Sequence, residues 1–82
     1  MVQIFATQLK GKTVMTRDGQ ILGTLAEMLV DTRTGRLLNL LVAPAEDIEV
    51  RLFETDAKKR IVLPFTSLKS VKDVIVADME AP

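Results

Sequence analysis

The chain has no cysteine, no histidine, no tryptophan and no tyrosine. Lack of cysteine removes disulfides and thiolate metal sites, and lack of histidine removes the commonest metal ligand together with the commonest general base. Aromatic residues are scarce at 4%, while 48% of the chain is hydrophobic, so the core must be built from Val, Ile, Leu and Met. No charge of either sign dominates: 11 Lys and Arg balance 11 Asp and Glu. A formal net charge of zero makes no global field to draw in nucleic acid or an anionic membrane. No apolar run approaches the ~20 residues needed to cross a bilayer. Met1–Lys10 has neither a basic opening nor a long apolar stretch of the secretory kind. A cytoplasmic protein without direct membrane insertion is therefore expected, and no cofactor or metal site.

With 82 residues there is room for one domain, 1–82, and one small core. Chains of this size bury a low fraction of their surface, and without disulfides or metals the remaining way to add stability is oligomerisation.

The stretch from Ile21 to Val42 organises the rest. Two apolar, β-prone runs flank a polar break carrying Asp31 and Gly35, which reads as an antiparallel hairpin with Gly35 at positive φ in its loop and Arg33 and Arg36 keeping the tip in water. Before it, Val2–Leu9 is an apolar lead-in in which Ile4 and Phe5 are expected to cover one end of the core. Thr13–Arg17 reads as a first strand on its β-branched content, and Asp18-Gly19 as a type I′ turn with both residues at positive φ. Gly23 would weaken a regular strand, so it marks a bulge or bend, and the alternation slips phase again near Glu27 and Met28. Short strands with such kinks curl a small sheet into a barrel. Leu38, Leu40 and Val42 fall on one face of the next strand and Leu37, Asn39 and Leu41 on the other, until Pro44 ends it. Residues 44–60 form a long charged excursion, pinned by Leu52 and Phe53, with a short edge strand possible over Ile48–Leu52. Ile61–Leu63 is a strand stopped by Pro64, Thr66-Ser67 suits a local side-chain cap, Val74–Asp78 is the last strand, and 79–82 is a tail. The fold class is all-β: a small, mostly antiparallel barrel of about six strands.

These landmarks together resemble the PRC-barrel family. The matching residues are Leu9-Lys10-Gly11-Lys12 before Val14, Asp18-Gly19-Gln20 with Leu22-Gly23, Asp31 with Thr34-Gly35-Arg36, Ile61-Val62-Leu63-Pro64-Phe65 followed by Ser67-Leu68, and Asp73 to Val76. They run through nearly the whole chain. The resemblance, closest to the stand-alone single-domain members abundant in archaea, implies a PRC-type barrel acting as a non-enzymatic, self-associating adaptor. For some members it implies a place in cell division beside the FtsZ and SepF proteins. The ribosome maturation factor RimM also carries such a domain, which implies ribosome assembly or RNA processing as the alternative.

Self-association has an argument from the residues as well. In Leu37–Ala43, Ile61–Leu63 and Val74–Val76 apolar residues occupy both faces, although a small barrel buries only its inner one. Outward residues, Leu37, Leu41 and Ile75, are therefore expected to meet a second copy, making a homodimer. Glu46, Asp47, Glu49, Glu54 and Asp56 supply oxygen ligands for a divalent cation but lack the glycine and acidic spacing of a calcium loop, so they read as a solvated loop. Lys58, Lys59, Arg60, Lys69 and Lys72 form a basic set without aromatic stacking partners, and neighbouring acids cancel its field, so nucleic acid is not expected as a partner. Ser67 and Ser70 have no histidine to activate them, and no enzyme is expected.

Overall fold

A computed structural model describes residues 9–71 and 74–79. Among these residues six strands follow in order: β1 (Thr13–Thr16), β2 (Ile21–Val30), β3 (Leu37–Pro44), β4 (Ile61–Pro64), β5 (Leu68–Val71) and β6 (Val74–Ala77). Two 3-10 turns, Val50–Leu52 and Phe65–Ser67, lie between them. The strands make one sheet in the order β4-β3-β2-β1-β6-β5, antiparallel throughout except where β1 and β6 run parallel.

The sheet has to curl. Its two outermost strands, β4 and β5, would stand about 24 Å apart if it were flat, taking ~4.8 Å per strand step. Yet only Phe65–Ser67 separates them in the chain, and Pro64 to Leu68 spans at most ~14 Å when fully extended. The connection draws the two edges toward each other and makes the barrel-like shape expected from the kinked strands.

One face of the curl is the core, and the register shows how each strand reaches it. Val14 pairs with Ile75 and Thr16 with Ala77 across β1 and β6; Leu25 pairs with Val42, Leu40 with Leu63 and Val42 with Ile61. All nine of these side chains are buried, and cross-strand partners share a face, so they form one contiguous interior. Three bulges keep β2 and its neighbours in phase. Leu22 is the extra residue opposite Val14/Met15, Ala26 the extra one between Leu25 and Glu27, and Leu38 the extra one opposite Leu29/Val30. The first puts Leu22 inside the core beside Leu25, three residues on, at the kink expected at Gly23, and the second, at Ala26, accounts for the phase slip expected near Glu27 and Met28.

Among the described residues Thr16 is the one buried polar residue, and its hydroxyl is satisfied locally: it donates to the Asp18 carboxylate and accepts the Gln20 backbone N–H at 3.0 Å. The turn it caps differs from the expected type I′. Gly19 has φ +92°, but Asp18 is not at positive φ. Gly19 N–H donates to the Thr16 carbonyl and Thr16 N–H to the Gln20 carbonyl, which makes a three-residue loop with glycine at its left-handed position. The threonine hydroxyl favours this longer loop by holding Gln20 in place. The second turn agrees with expectation: Gly35 has φ +75° and donates to the Asp31 carbonyl at 2.7 Å, while the Asp31 carboxylate accepts the Arg33 N–H at 2.9 Å.

Residues 44–60 cross the surface with a 3-10 turn where an edge strand was possible. Of the two side chains expected to pin it, Phe53 packs on the core but Leu52 is 58% exposed, and Ile48 takes its place. Ser67 makes the expected local cap, its hydroxyl donating to the Pro64 carbonyl at 2.7 Å. Leu9 is buried and Met79 packs against the core, whereas Ile4, Phe5 and residues 80–82 lie outside the described residues.

Candidate interaction surface

Of the three side chains expected to face a second copy, two are sheltered by their own chain. Ile75 is completely buried, because parallel pairing with Val14 turns it inward and leaves Val74 and Val76 outside. An uninterrupted Val-Ile-Val run carries no phase of its own, so only its neighbour strand could orient it. Leu41 does lie on the face opposite Leu40 and Val42, but at 4% exposure it too is covered within the chain, between Glu27 on β2 and Val62 on β4. Leu37 is half-buried.

The exposed apolar surface lies elsewhere. β2 is ten residues long, whereas β1 has four and pairs with it only as far as Thr24. Two more backbone bonds, Leu25 N–H to the Lys12 carbonyl and Gly11 N–H to the Leu25 carbonyl, carry the contact one residue further. On the other side, β4 meets β3 from Asn39 to Val42. The distal part of the β2–β3 hairpin therefore projects past its neighbours as an arm. On it Leu29, Val30 and Leu38 are 45%, 44% and 49% exposed. Leu29 and Val30 are consecutive on one strand and point to its opposite faces, so the end of the arm is apolar on both sides. The signal for it in the sequence was the unequal length of the strands, which is visible only once pairing is known.

A second, open hollow of about 330 Å³ lies where β1, β2 and β3 meet, lined by Thr13, Ile21, Gly23, Thr24, Ala43, Pro44, Ala45 and Glu46. Ile21 contributes its exposed apolar flank.

The turn residues form the frame: Asp18 and Gly19, Asp31 and Gly35, and Gly23 within β2 hold the two hairpins, and Pro64 ends β4. The charged sets do not converge. Among the described residues no group of three or more acidic side chains is placed to hold a metal. Asp56 instead organises its own turn. Its carboxylate accepts the backbone N–H groups of Arg60 at 2.8 Å and Lys58 at 3.0 Å and the Arg60 guanidinium at 2.8 Å. The Arg60 backbone donor first, with the guanidinium and the Lys58 N–H, holds the Asp56 carboxyl below its usual value despite partial desolvation. Arg60 is thereby engaged, and Lys58 and Lys59 are exposed beside it; Lys69 is exposed on β5, and Lys72 lies outside the described residues. Ser70 is exposed on β5 as well.

A curled, six-stranded sheet with a parallel first-to-last pairing and a protruding second hairpin defines a small barrel-type module. The PRC-barrel domain family matches residues 1–80, and the chain belongs to that family. It is similar to a protein of Methanocaldococcus jannaschii described as uncharacterized, at 27% identity over 78 residues, covering 95% of this chain and 84% of the relative. Its fold is similar to the crystal structure of a Pseudomonas aeruginosa protein described as the 16S ribosomal RNA processing protein RimM, with a TM-score of 0.66 at 17% identity. That likeness covers 94% of this chain but only 44% of the RimM chain, so this chain spans less than half of that protein. Among the described residues no helix is long and apolar enough to cross a membrane.

Proposed function

We propose that this chain is a non-enzymatic protein–protein interaction module, cytoplasmic and homodimeric, serving as an adaptor in an archaeal cell-division assembly of the FtsZ and SepF kind. The observation that carries the interaction role is the projecting arm with Leu29, Val30 and Leu38 each nearly half exposed. Apolar area left in water on a protruding element is stabilised by covering it, at ~25 cal/mol per Å2. The archaeal setting draws support from the relative in Methanocaldococcus jannaschii, and the division role from the stand-alone members that the sequence resembles.

The alternative is an accessory of RNA processing or ribosome assembly, favoured by the likeness of fold to RimM. Affinity purification from the native host separates the two. Wild-type protein and a Leu29→Glu, Leu38→Glu variant serve as paired baits. Division proteins retained by the first and lost by the second support the adaptor; ribosomal components support the alternative, and no difference between the baits overturns the arm as the contact. Salt-sensitive RNA gel shifts abolished by Lys58→Glu with Lys59→Glu would also favour the alternative.

A further inference from the structure

Resting on the interaction-module reading, we propose that the partner bound by the arm is a second copy of this chain, and that the two copies pair antiparallel along the free edge of β2 at residues 26–30 with the two-fold axis at Met28. Among the described residues nothing pairs with this edge beyond Leu25, where the last backbone bonds to Gly11 and Lys12 are made and the bulge at Ala26 begins. The edge reads Ala-Glu-Met-Leu-Val. Exposed edge strands are normally protected by charges or proline, or by being short. Here there is a single charge, and Glu27 already has the Lys10 ammonium 3.2 Å from its carboxylate.

The register follows from that charge. In an antiparallel pair on a two-fold axis each residue opposes another at equal distance from the axis, and like charges directly opposite are unfavourable. With the axis at Glu27, that carboxylate opposes its own copy. With the axis at Leu29, Glu27 opposes Asp31. With the axis at Met28, Glu27 opposes Leu29 and Ala26 opposes Val30, so no acid meets an acid. The same register covers Leu29 and Val30, two of the three exposed side chains of the arm. Because the pairing uses the same edge on both copies, it consumes that edge and closes at two.

The absence of cysteine lets single introduced thiols report the register. Directly opposed residues in an antiparallel pair lie within disulfide range, and those offset by two residues do not. Under mild oxidation Met28→Cys is expected to form a disulfide-linked dimer. An equal mixture of Glu27→Cys and Leu29→Cys is expected to do the same several-fold faster than either variant alone. The mixture guards against Met28→Cys failing to fold, since both its positions are exposed. A dimer by sedimentation in which Glu27→Cys alone links as fast as the mixture, or in which neither Met28→Cys nor the mixture links, overturns this interface and leaves the homodimer standing. A wild-type monomer at micromolar concentration overturns the second copy as partner. The paired-bait purification then still decides whether the arm binds another protein.

Discussion

Gly23 sits where two backbones approach too closely for any side chain. A Cβ built on it would lie 1.9 Å from the Ala43 carbonyl oxygen, and its φ of +152° is one that other residues rarely adopt. Gly23→Ala is therefore expected to force β2 and β3 apart and cost about 2–4 kcal/mol, read as a lower urea midpoint. Lys59 shows the converse, a side chain in a glycine-like conformation at φ +61°. Lys59→Gly is expected to stabilise by about 0.5 kcal/mol, the relief of left-handed strain slightly exceeding the added chain entropy. Asp56 supplies a pH dependence whose sign is determined by its lowered carboxyl value. The contribution is present above the unfolded value, ~3.9, and is lost as pH falls through the lower folded one. Asp56→Asn should thus unfold more readily than wild type at neutral pH, and the gap between them should narrow in acid-titrated thermal melts. The positive φ of Gly35 could be read from residue type, because only the loop chemistry was needed. That of Lys59 could not, because the Asp56 carboxylate imposes it through bonds to Lys58 and Arg60.

At the scale of elements, the β2–β3 hairpin supplies both sides of the molecule's character: its proximal half carries Leu22, Leu25, Leu40 and Val42 into the core, and its distal half carries the exposed leucines. Substitutions in the two halves should therefore behave differently. Leu40→Ala removes a fully buried side chain packed across from Leu63 and Met28 and should cost about 2–5 kcal/mol. Leu29→Glu with Leu38→Glu should change the stability of the single chain by less than about 0.5 kcal/mol each while weakening self-association by setting a carboxylate opposite Glu27, seen as a fall in sedimentation coefficient without loss of the β-type circular dichroism. Both hairpins were legible from Asp-Gly and Thr-Gly, and the bulges at Leu22 and Ala26 from Gly23 and the phase slip after it; the bulge at Leu38 was not, and it takes Leu38 off the face of Leu40 and Val42 on which the alternation placed it. The first turn's type was not, since the deciding contact is the Thr16 hydroxyl bonding to Asp18 and Gln20.

For the whole molecule, a small core and a proposed dimer make stability and concentration inseparable. A partner that binds only the folded chain stabilises it by mass action, so the melting temperature should rise with protein concentration for wild type and become flat for the Leu29→Glu, Leu38→Glu variant. Thermal melts over a hundredfold concentration range would read this, and a flat wild-type curve would count against the dimer.

Residue order along the chain was enough to establish an all-β fold of six short strands, where they bend, and the chemistry it lacks, because turn glycines, β-branched runs and missing side-chain types are local facts. It was not enough to say which apolar residues stay in water. Ile75 and Leu41 are hidden and Leu29, Val30 and Leu38 are not, and that assignment depends on which strand lies beside which. Burial is a property of neighbours: parallel pairing with β1 turns Ile75 inward, and a β1 too short to follow β2 leaves the arm without a neighbour among the described residues.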